Sequence, residues 1–340
     1  MAQKPWRHAA DALETIFKTN LHGTHLPVPA GFHRGVEVLG DGLGEALTRS
    51  VRRYGRSHGR LPDLIAPKTF TEKQVLFKFF GLVPQQSPSD KLRSPGFLPQ
   101  GLQDRARLPK RVWISDKPAL PADDALPPGD YYLKSNHGSG TNMPITFPVP
   151  PDARAALEKK TAHWLTKPHT ETLSLWWYET MPRNIYLEED LRNPDGDAPD
   201  WKFFVCNGRV SLFQVDVDRR GNHRQMIHGR DGTYVPQELY YQTGAPIPMP
   251  DCLPTMVEIA EGIGQNFDFI RVDLFLLRGA PYLGEIALVP NGARTKIRSP
   301  ELDDRLGAAW TPPWLGEVGD DWRHGHYGGV QYDPTFGAVE

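Results

Sequence analysis

Apolar residues recur at helical spacing in several stretches of the chain. Residues 42–57 carry Leu43, Leu47 and Val51 on successive turns, which predicts a helix with one buried face. Thr69-Phe70-Thr71-Glu72 has the pattern of a capping box, so a helix is predicted from this point through Phe80. Similar spacing predicts further helices over residues 8–20, 151–166 and, roughly, 254–266.

Short apolar runs bounded by turn residues predict β-strands elsewhere. Single strands are predicted at Arg111–Ser115, Tyr131–Asn136 and Asn184–Leu191. A first hairpin is predicted from Trp201–Cys206 and Arg209–Asp218, with its turn at Asn207-Gly208. A second is predicted from Phe269–Leu277 and Ala280–Leu288, with its turn at Arg278-Gly279. The stretch 84–110, rich in proline, glycine and glutamine, is predicted to be irregular.

The composition limits the classes of protein to which the chain can belong. Its 340 residues carry a formal net charge of −2, which argues against a general nucleic-acid-binding protein. The two cysteines, Cys206 and Cys252, are too few for a disulfide framework or a zinc site and fit a reducing, cytoplasmic setting. No apolar run approaches the roughly 18 residues of a membrane-spanning helix, so neither a transmembrane segment nor a signal peptide is expected.

Two acidic residues stand out in the second hairpin. If this hairpin is symmetric about Gly279, Asp273 lies directly opposite Glu285. Cross-strand partners have Cβ atoms roughly 4.5–5.5 Å apart, and like charges placed there repel. A cation between the carboxylates removes that conflict, and Mg²⁺ held between protein oxygens and nucleotide phosphates suits such a pair. The alternative is a sheet edge that carries two solvated acids.

A lysine and a glycine-rich loop follow the strand predicted at Tyr131–Asn136. Lys134 lies at the strand end, and His137-Gly138-Ser139-Gly140 comes directly after it. Glycines let backbone N–H groups approach phosphate oxygens closely, and the lysine can reach the same oxygens. The loop is neither a Walker A motif nor a dinucleotide fingerprint. A hairpin loop with a chance lysine is an equally good interpretation of this segment alone.

An apolar strand that ends in acidic residues offers a second nucleotide contact. Glu188 and Glu189 close the run that begins at Ile185. A carboxylate at such a position can accept a hydrogen bond from the adenine amine, while neighbouring backbone groups contact the edge of the ring. Taken alone, an ordinary charged strand end explains the pattern better.

The first hairpin places basic residues by parity. If its strands pair symmetrically about the turn, Lys202 shares a face with Val215 and Arg219, whereas Asp216 faces the other way unless a bulge intervenes. Lys202 and Arg219 would then converge on one anionic group. The loop residue His223 could act in acid–base chemistry, but loop histidines usually do not, and the pattern does not place it in a site. His324 and His326 in the glycine-rich tail could bind a metal ion, but tail histidines are more often incidental, so they are not assigned to a site.

Arg271 shares a strand face with Asp273 by the period-two rule. A cation beside a metal-binding acid can hold a transferring phosphoryl group or a substrate carboxylate. A plain salt bridge to Asp273 or Glu285 is the alternative.

Taken together and in this order, these signals resemble the TupA-like ATP-grasp family. The resemblance covers roughly residues 68–310. The matching segments are Phe70-Thr71-Glu72-Lys73, Ser89-Asp90-Lys91, Leu133-Lys134-Ser135-Asn136-His137-Gly138-Ser139-Gly140, Glu188-Glu189, Asp200-Trp201-Lys202-Phe203-Phe204, Asn207-Gly208, Gln214 to Arg219, Asn222-His223, Phe269 to Leu274 and Gly284-Glu285. Each segment is a weak signal, but their joint occurrence is specific.

The resemblance implies an α+β ATP-grasp fold, in which two antiparallel-sheet subdomains clasp ATP behind an N-terminal helical and α/β region. The expected division is an N-terminal extension at 1–67, an N-terminal region of the ATP-grasp unit at 68–115, a central lid subdomain at 116–192, a C-terminal subdomain with the metal site at 193–310 and a tail at 311–340.

The resemblance also implies roles for individual residues. Lys91 and Lys134 would contact ATP phosphates, with His137, Gly138, Ser139 and Gly140 as a mobile cover. Glu188 would meet the adenine amine, and Glu189 and Leu191 would supply backbone contacts. Lys202, Arg219 and Arg271 would hold phosphate or the acyl phosphate, and Asp273 and Glu285 would hold Mg²⁺. One position departs from the family pattern, because Ala287 stands where ATP-grasp enzymes commonly have an asparagine; Asn291 comes later.

The implied activity is that of an ATP-dependent ligase that joins a carboxylate to an amine through an acyl phosphate. The expected acceptor is acidic or glycan-linked, as in surface polysaccharide biosynthesis, and Arg220, Arg224, Arg230 and Arg294 are candidates to recognise it. An ATP-grasp kinase that acts on a hydroxyl, and a glycosyltransferase or non-catalytic nucleotide-binding protein, remain open, as does a homodimer.

Overall fold

The structure is a computed structural model that describes residues 28–168, 174–191, 199–219, 221–315 and 332–337. The helix predicted over residues 8–20 lies outside the described residues, as do Arg220, His324 and His326. Within these ranges the α-helices are α1 (Gly35–Leu39), α2 (Leu43–His58), α3 (Phe70–Phe80), α4 (Pro151–Thr166), α5 (Leu253–Gly264) and α6 (Pro300–Ala309).

The described strands form three antiparallel sheets. A two-stranded sheet pairs β1 (Phe32–Arg34) with β2 (Leu82–Pro84). A four-stranded sheet contains β3 (Arg111–Ser115), β4 (Gly129–Ser135), β5 (Asn142–Phe147) and β6 (Ile185–Glu189) in the order β3-β6-β4-β5. A six-stranded sheet contains β7 (Asp200–Cys206), β8 (Arg209–Val217), β9 (Arg224–His228), β10 (Tyr234–Val235), β11 (Phe269–Leu277) and β12 (Ala280–Ala287) in the order β10-β9-β8-β7-β11-β12.

The four-stranded sheet has its own small core. Leu133 and Leu187 are fully buried there, and Trp164 of α4 packs into the same cluster. Strand β3 pairs with β6, so the boundary expected at residue 115 falls within this sheet. Strand β5 was not predicted from the sequence because it contains Pro144, and its edge position explains how a proline is accommodated.

The two faces of the six-stranded sheet differ. One face packs against α5, where a Cβ added at Gly264 would lie only 2.3 Å from Val205 Cγ1. On the other face, Phe204 and Phe269 pack edge-on against Phe70 of α3. Period-two alternation places Lys202 on that same face, two residues before Phe204. This face is therefore apolar at Phe204 and Phe269, where α3 packs, and charged at Lys202.

Helix α3 begins as the sequence predicts. The Thr69 hydroxyl accepts a hydrogen bond from the Glu72 N–H, and the Glu72 carboxylate accepts one from the Thr69 N–H, which confirms the capping box. The Thr71 N–H and hydroxyl both donate to the carboxylate of Asp303 on α6, at 2.9 and 2.7 Å. These bonds hold α3 against α6.

The mixture of helices and antiparallel sheets confirms the predicted α+β class. No helix among the described residues is long and apolar enough to span a membrane.

Candidate active site

A cavity of about 520 Å³ lies between the two larger sheets. Its first wall comes from Lys91, from Lys134 on β4 and from residues 138–142 of the loop between β4 and β5. Its second wall comes from residues on β7, β8, β11 and β12. Cavities of this size commonly hold a small-molecule ligand. The segment predicted to bind phosphates and the segment predicted to bind metal therefore face the same cavity.

Asp273 and Glu285 are cross-strand partners, as the sequence predicts, and both line the cavity. The route to this pairing differs from the predicted symmetry. Arg278 and Gly279 both have positive φ and form a two-residue turn, which pairs Leu277 with Ala280. A register shift after Asp273 leaves Gly284 as the extra residue of a β-bulge, and this shift brings Glu285 opposite Asp273.

Arg271 forms a two-point ion pair with Asp273. Its Nε lies 2.7 Å from Oδ1, and its Nη2 lies 2.7 Å from Oδ2. Burial alone would lower the pKa of Arg271, but the Asp273 carboxylate raises it above the ordinary value. The shared strand face of these two residues is thus confirmed, and in this structure the pair takes the salt-bridge form.

Lys202 lies at the centre of the charged end of the sheet. Its Nζ is 2.8 Å from Asp200 Oδ2, 3.5 Å from Asp216 Oδ2 and 3.6 Å from Asp273 Oδ2. Burial acts to lower the pKa of Lys202, but Asp273 and the two other carboxylates outweigh it, so the pKa is raised. Lys202 is therefore a fixed positive charge beside the facing acids.

The symmetric strand pairing predicted for the first hairpin holds only next to its turn, because a bulge intervenes. Near the turn Cys206 pairs with Arg209, but a register shift between Phe204 and Val205 leaves Ser211 as an extra residue. Lys202 therefore pairs with Gln214 instead of Phe213, the partner expected from symmetry about the turn. As a result Gln214 and Asp216 share the Lys202 face and line the cavity, whereas Val215 is buried on the opposite face.

Arg219 and Lys202 do converge on one anionic group, which in this structure is a carboxylate of the protein. Its guanidinium pairs with Asp200, the same carboxylate that Lys202 contacts. Burial opposes ionisation of Asp200, but Lys202 and then Arg219 outweigh it and lower the pKa of this group. The two cations converge at the cavity wall as expected.

Lys91 ties the glycine-rich loop to the first wall. Its Nζ donates to the carbonyl oxygen of Gly138 at 2.7 Å, and its own N–H donates to the Asn136 carbonyl at 2.9 Å. Burial lowers the pKa of Lys91, while Glu285 on the facing wall acts in the opposite direction. Gly138 and Gly140 have φ of 72° and 73°, a region that favours glycine.

Lys134 is paired rather than free. Its ammonium forms an ion pair with Glu188 of β6 and lies 5.2 Å from the centre of the Tyr132 ring. Glu188 is reached through Lys134 and is not itself among the residues that line the cavity. The predicted phosphate ligand and the predicted adenine ligand are thus in contact with each other.

Three predicted nucleotide ligands lie away from the cavity. His137 is fully buried, with its ring nitrogens 2.9 Å from Asn136 Oδ1 and 3.0 Å from the Trp164 carbonyl oxygen, so its side chain anchors the loop instead of covering a ligand. The Glu189 N–H donates to the Lys110 carbonyl oxygen, and its carboxylate accepts from the Lys110 N–H. Leu191 is not among the lining residues.

The arginines proposed to recognise an acidic acceptor are dispersed. Arg230 forms an ion pair with Glu261 at 2.7 Å and lines a separate cavity near Cys206. The Arg224 side chain pairs with Gln242, and Arg294 is exposed.

Several cavity residues were not predicted. Asp216 was placed on the other face in the absence of a bulge, and Gln214 was not assigned to a face. Tyr240 and Tyr241 lie in a segment without periodic pattern. Asn291 also lines the cavity, so an asparagine is present although Ala287 occupies the family position. Its φ of 52° in the short helical turn after β12 is the local feature that brings it there, and the sequence gives only Pro290 as a signal.

The sequence model of the family described as TupA-like ATPgrasp matches residues 110–311. No curated protein matches the chain. Among solved structures, the ATP-grasp ligase PsnB, complexed with a phosphomimetic variant of its minimal precursor, Mg and ADP, is 15% identical over 67% of this chain and 62% of its own, with a TM-score of 0.34. D-alanine–D-alanine ligase from Bacillus anthracis is 12% identical over 61% and 59%, with a TM-score of 0.34. L-amino acid ligase from Bacillus licheniformis is 14% identical over 68% and 44%, with a TM-score of 0.30. The chain spans less than two thirds of each of these proteins.

Proposed function

The chain belongs to the TupA-like ATP-grasp family, and on this premise we propose that it is an ATP- and Mg²⁺-dependent ligase that joins a carboxylate to an amine. One observation carries the proposal. The cavity has lysines and a glycine-rich loop on one wall, and facing acids with three basic side chains on the other. The lysines and the glycine-rich loop of the first wall suit the binding of a triphosphate. The facing acids and basic side chains of the second wall suit the transfer of its terminal phosphoryl group.

ATP is the nucleotide of this proposal. Lys91, Lys134 and the backbone of residues 138–140 would contact its phosphates, because these groups line one wall together. Glu188, which lies behind Lys134, would contact the adenine. Since Glu188 pairs with Lys134 in this structure, adenine binding at Glu188 requires the Lys134 ammonium to turn toward the phosphates.

The residues present fit Mg²⁺ that arrives with the nucleotide. Among the described residues no group of three or more His, Cys, Asp or Glu side chains could hold a metal ion alone. Mg²⁺ commonly binds through one or two carboxylates together with substrate phosphates, which is the donor set that Asp273 and Glu285 offer. Asn291 lines the same cavity and adds an amide oxygen. When bound, the ion would offset the negative charge of the phosphate oxygens.

The basic side chains on the second wall suit an acyl phosphate. A substrate carboxylate oxygen attacks the γ-phosphorus, the bond to the β-phosphate oxygen breaks, and ADP leaves. An amine then attacks the acyl carbon and displaces inorganic phosphate, forming an amide. Lys202, Arg219 and Arg271 would hold the negative oxygens of the acyl phosphate, since all three basic side chains line the cavity.

The substrate class follows from the family rather than from the cavity. We propose an acidic or glycan-linked substrate of surface polysaccharide assembly, processed in the cytoplasm where ATP is supplied. The exposed guanidinium of Arg294 lies three positions beyond Asn291 and is the described candidate for contact with it.

The purified protein tests this function directly. ADP release would be measured against pools of carboxylates, with and without amines, and with hydroxylamine to trap acyl phosphate as a hydroxamate. The expected result is ADP release that depends on a carboxylate, together with a hydroxamate. A stable phosphorylated product formed without an amine would identify a kinase instead. Hydrolysis of a nucleotide sugar without ATP turnover would favour a glycosyltransferase over both the ligase and the kinase.

A further inference from the structure

His223 lies against Asp216 in the cavity, and the proposed reaction leaves both without a role. The His223 Nε2 is enclosed by protein and lies 3.4 Å from Asp216 Oδ1. The His223 side chain is 19% exposed, whereas that of Asp216 is 4% exposed. Both line the cavity that holds Lys202 and the facing acids. A histidine is thus presented to the reacting groups with a buried carboxylate behind it.

The Asp216 carboxylate is held in place from two sides. Gln214 Nε2 lies 3.2 Å from each of its oxygens, and Lys202 Nζ lies 3.5 Å from Oδ2. These contacts exist because the extra residue Ser211 turns Gln214 and Asp216 onto the Lys202 face. The bulge therefore places the fixed, negatively charged carboxylate of Asp216 beside His223.

The carboxylate also selects a tautomer. The 3.4 Å separation is slightly long for a hydrogen bond, and such catalytic contacts often tighten when substrate binds. With its proton on Nε2, toward Asp216, the neutral ring carries its lone pair on Nδ1. Nδ1 forms no hydrogen bond within the part of the chain that the structure describes. The Tyr241 ring, with its centre 3.9 Å from that of His223, limits movement of the imidazole.

We propose that His223, oriented by Asp216, is the base that removes the proton from the attacking amine; the inference rests on the proposed ligase function. The ammonium form of the bound amine gives one proton to Nδ1. The neutral nitrogen then bonds to the acyl carbon, and its second proton passes to the departing phosphate. The carbon–oxygen bond to phosphate breaks, and phosphate leaves with the electron pair. The imidazolium then returns its proton to water.

Charged groups of both signs share the cavity with His223. These charged and titratable groups are Lys91, Lys134, Asp200, Lys202, Asp216, Arg219, Tyr240, Tyr241, Arg271, Asp273 and Glu285.

The first test separates the two half-reactions in the full-length protein. His223→Gln keeps the size of the side chain but cannot take up a proton. Amide formation with an alkylamine is expected to fall on the order of 10²–10⁴-fold. Hydroxamate formation with hydroxylamine is expected to change little, because that nucleophile is already unprotonated at neutral pH. His163→Gln, on the exposed face of α4, is the matched control and should change neither.

The outcomes decide between roles. A parallel loss of amide and hydroxamate would assign His223 a structural part and overturn the proposal, as would an unchanged rate of amide formation. If glutamine unfolds the protein, His223→Ala with added imidazole serves in its place: restored amide formation supports the base, and no restoration contradicts it. Failure of the ligase function itself would look different, because the unaltered protein would then release no ADP with any carboxylate.

Discussion

Asp273 and Glu285 face each other because a bulge at Gly284 corrects the register set by the Arg278-Gly279 turn. If Gly284 took part in regular pairing, it would lie opposite Asp273, and Glu285 would point to the other face of the sheet. A Cβ at Gly284 would lie 3.2 Å from the Asp273 carbonyl oxygen, so the bulge is also closely packed. β-Bulges commonly re-aim side chains beside active sites. In this hairpin the bulge accounts for the placement of both acids at the cavity.

The facing acids give the first testable prediction. Asp273→Asn and Glu285→Gln should each lower ATP turnover by on the order of 10²-fold or more, because a bound metal ion contributes several kcal/mol to phosphoryl transfer. Each should also raise the Mg²⁺ concentration needed for half-maximal ADP release. Glu301→Gln, an exposed acid on α6, should behave like the unaltered protein. Equal activity in all three variants would remove the acids from the mechanism.

The lysines of the first wall give a second prediction. Lys91→Ala and Lys134→Ala should each weaken ATP binding about 10- to 100-fold, the effect of losing a charged hydrogen bond of about 1.5–3 kcal/mol. Calorimetric titration with ATP would measure it, with Lys159→Ala on exposed α4 as the control.

Lys91→Ala has a further expected effect that distinguishes it from Lys134→Ala. Because the Lys91 ammonium binds the Gly138 carbonyl oxygen, amide hydrogen exchange in residues 138–141 should become faster without nucleotide. Unchanged exchange would show that Lys91 does not hold the loop.

Asp303 gives a prediction about stability. It is 6% exposed and accepts both hydrogen bonds from Thr71, so Asp303→Ala leaves a buried N–H without its partner. The free energy of unfolding should fall by about 2–3 kcal/mol, seen as a lower urea midpoint at an unchanged slope. The adjacent exposed Asp304→Ala should stay within about 0.5 kcal/mol of the unaltered protein. Similar losses in both variants would contradict this reading of the α3–α6 contact.

Lys78 gives a prediction about pH. Burial within α3, and then Arg53, lower the pKa of Lys78 from 10.5 to about 7. Between these values the unfolded chain binds the proton more tightly, so the free energy of unfolding should rise with pH, by at most about 1.4 kcal/mol per pH unit. This contribution is complete above pH 10.5 and is lost as the pH falls through about 7.

The variant Lys78→Met isolates that contribution. Urea unfolding at several pH values between about 7 and 10.5 should show the rise in the unaltered protein and a smaller rise in Lys78→Met. Lys159→Met, on the exposed side of α4, should retain the rise. An identical pH dependence with and without Lys78 would refute the assignment.

Local chemistry made some elements predictable. The capping box at Thr69 and Glu72 depends on neighbouring residues alone, and the structure contains it. Turn residues with positive φ at Asn207-Gly208 and Arg278-Gly279 likewise fixed both hairpins. The acids of the second hairpin were found because their strands and their turn can all be read from one short segment.

Features that depend on contacts between separate segments could not be predicted. The bulge at Ser211 moved Asp216 to the cavity, and nothing near it in the chain announces an extra residue. His137 lies beside the glycine-rich loop in sequence, but the Trp164 carbonyl oxygen and Asn136 take its ring into the core. Strand β5 forms only because β4 offers it an edge where Pro144 is tolerated. In each case the deciding contact lies in another segment and cannot be read from the residues of the segment itself.

The central claim is that Asp273 and Glu285 together hold a divalent ion that carries the triphosphate. Anomalous diffraction from a crystal containing Mn²⁺ and a nonhydrolysable ATP analogue tests it most directly. A manganese peak is expected between the two carboxylates and in contact with the phosphates. A bound nucleotide with its metal elsewhere, or with no metal near these carboxylates, would contradict it.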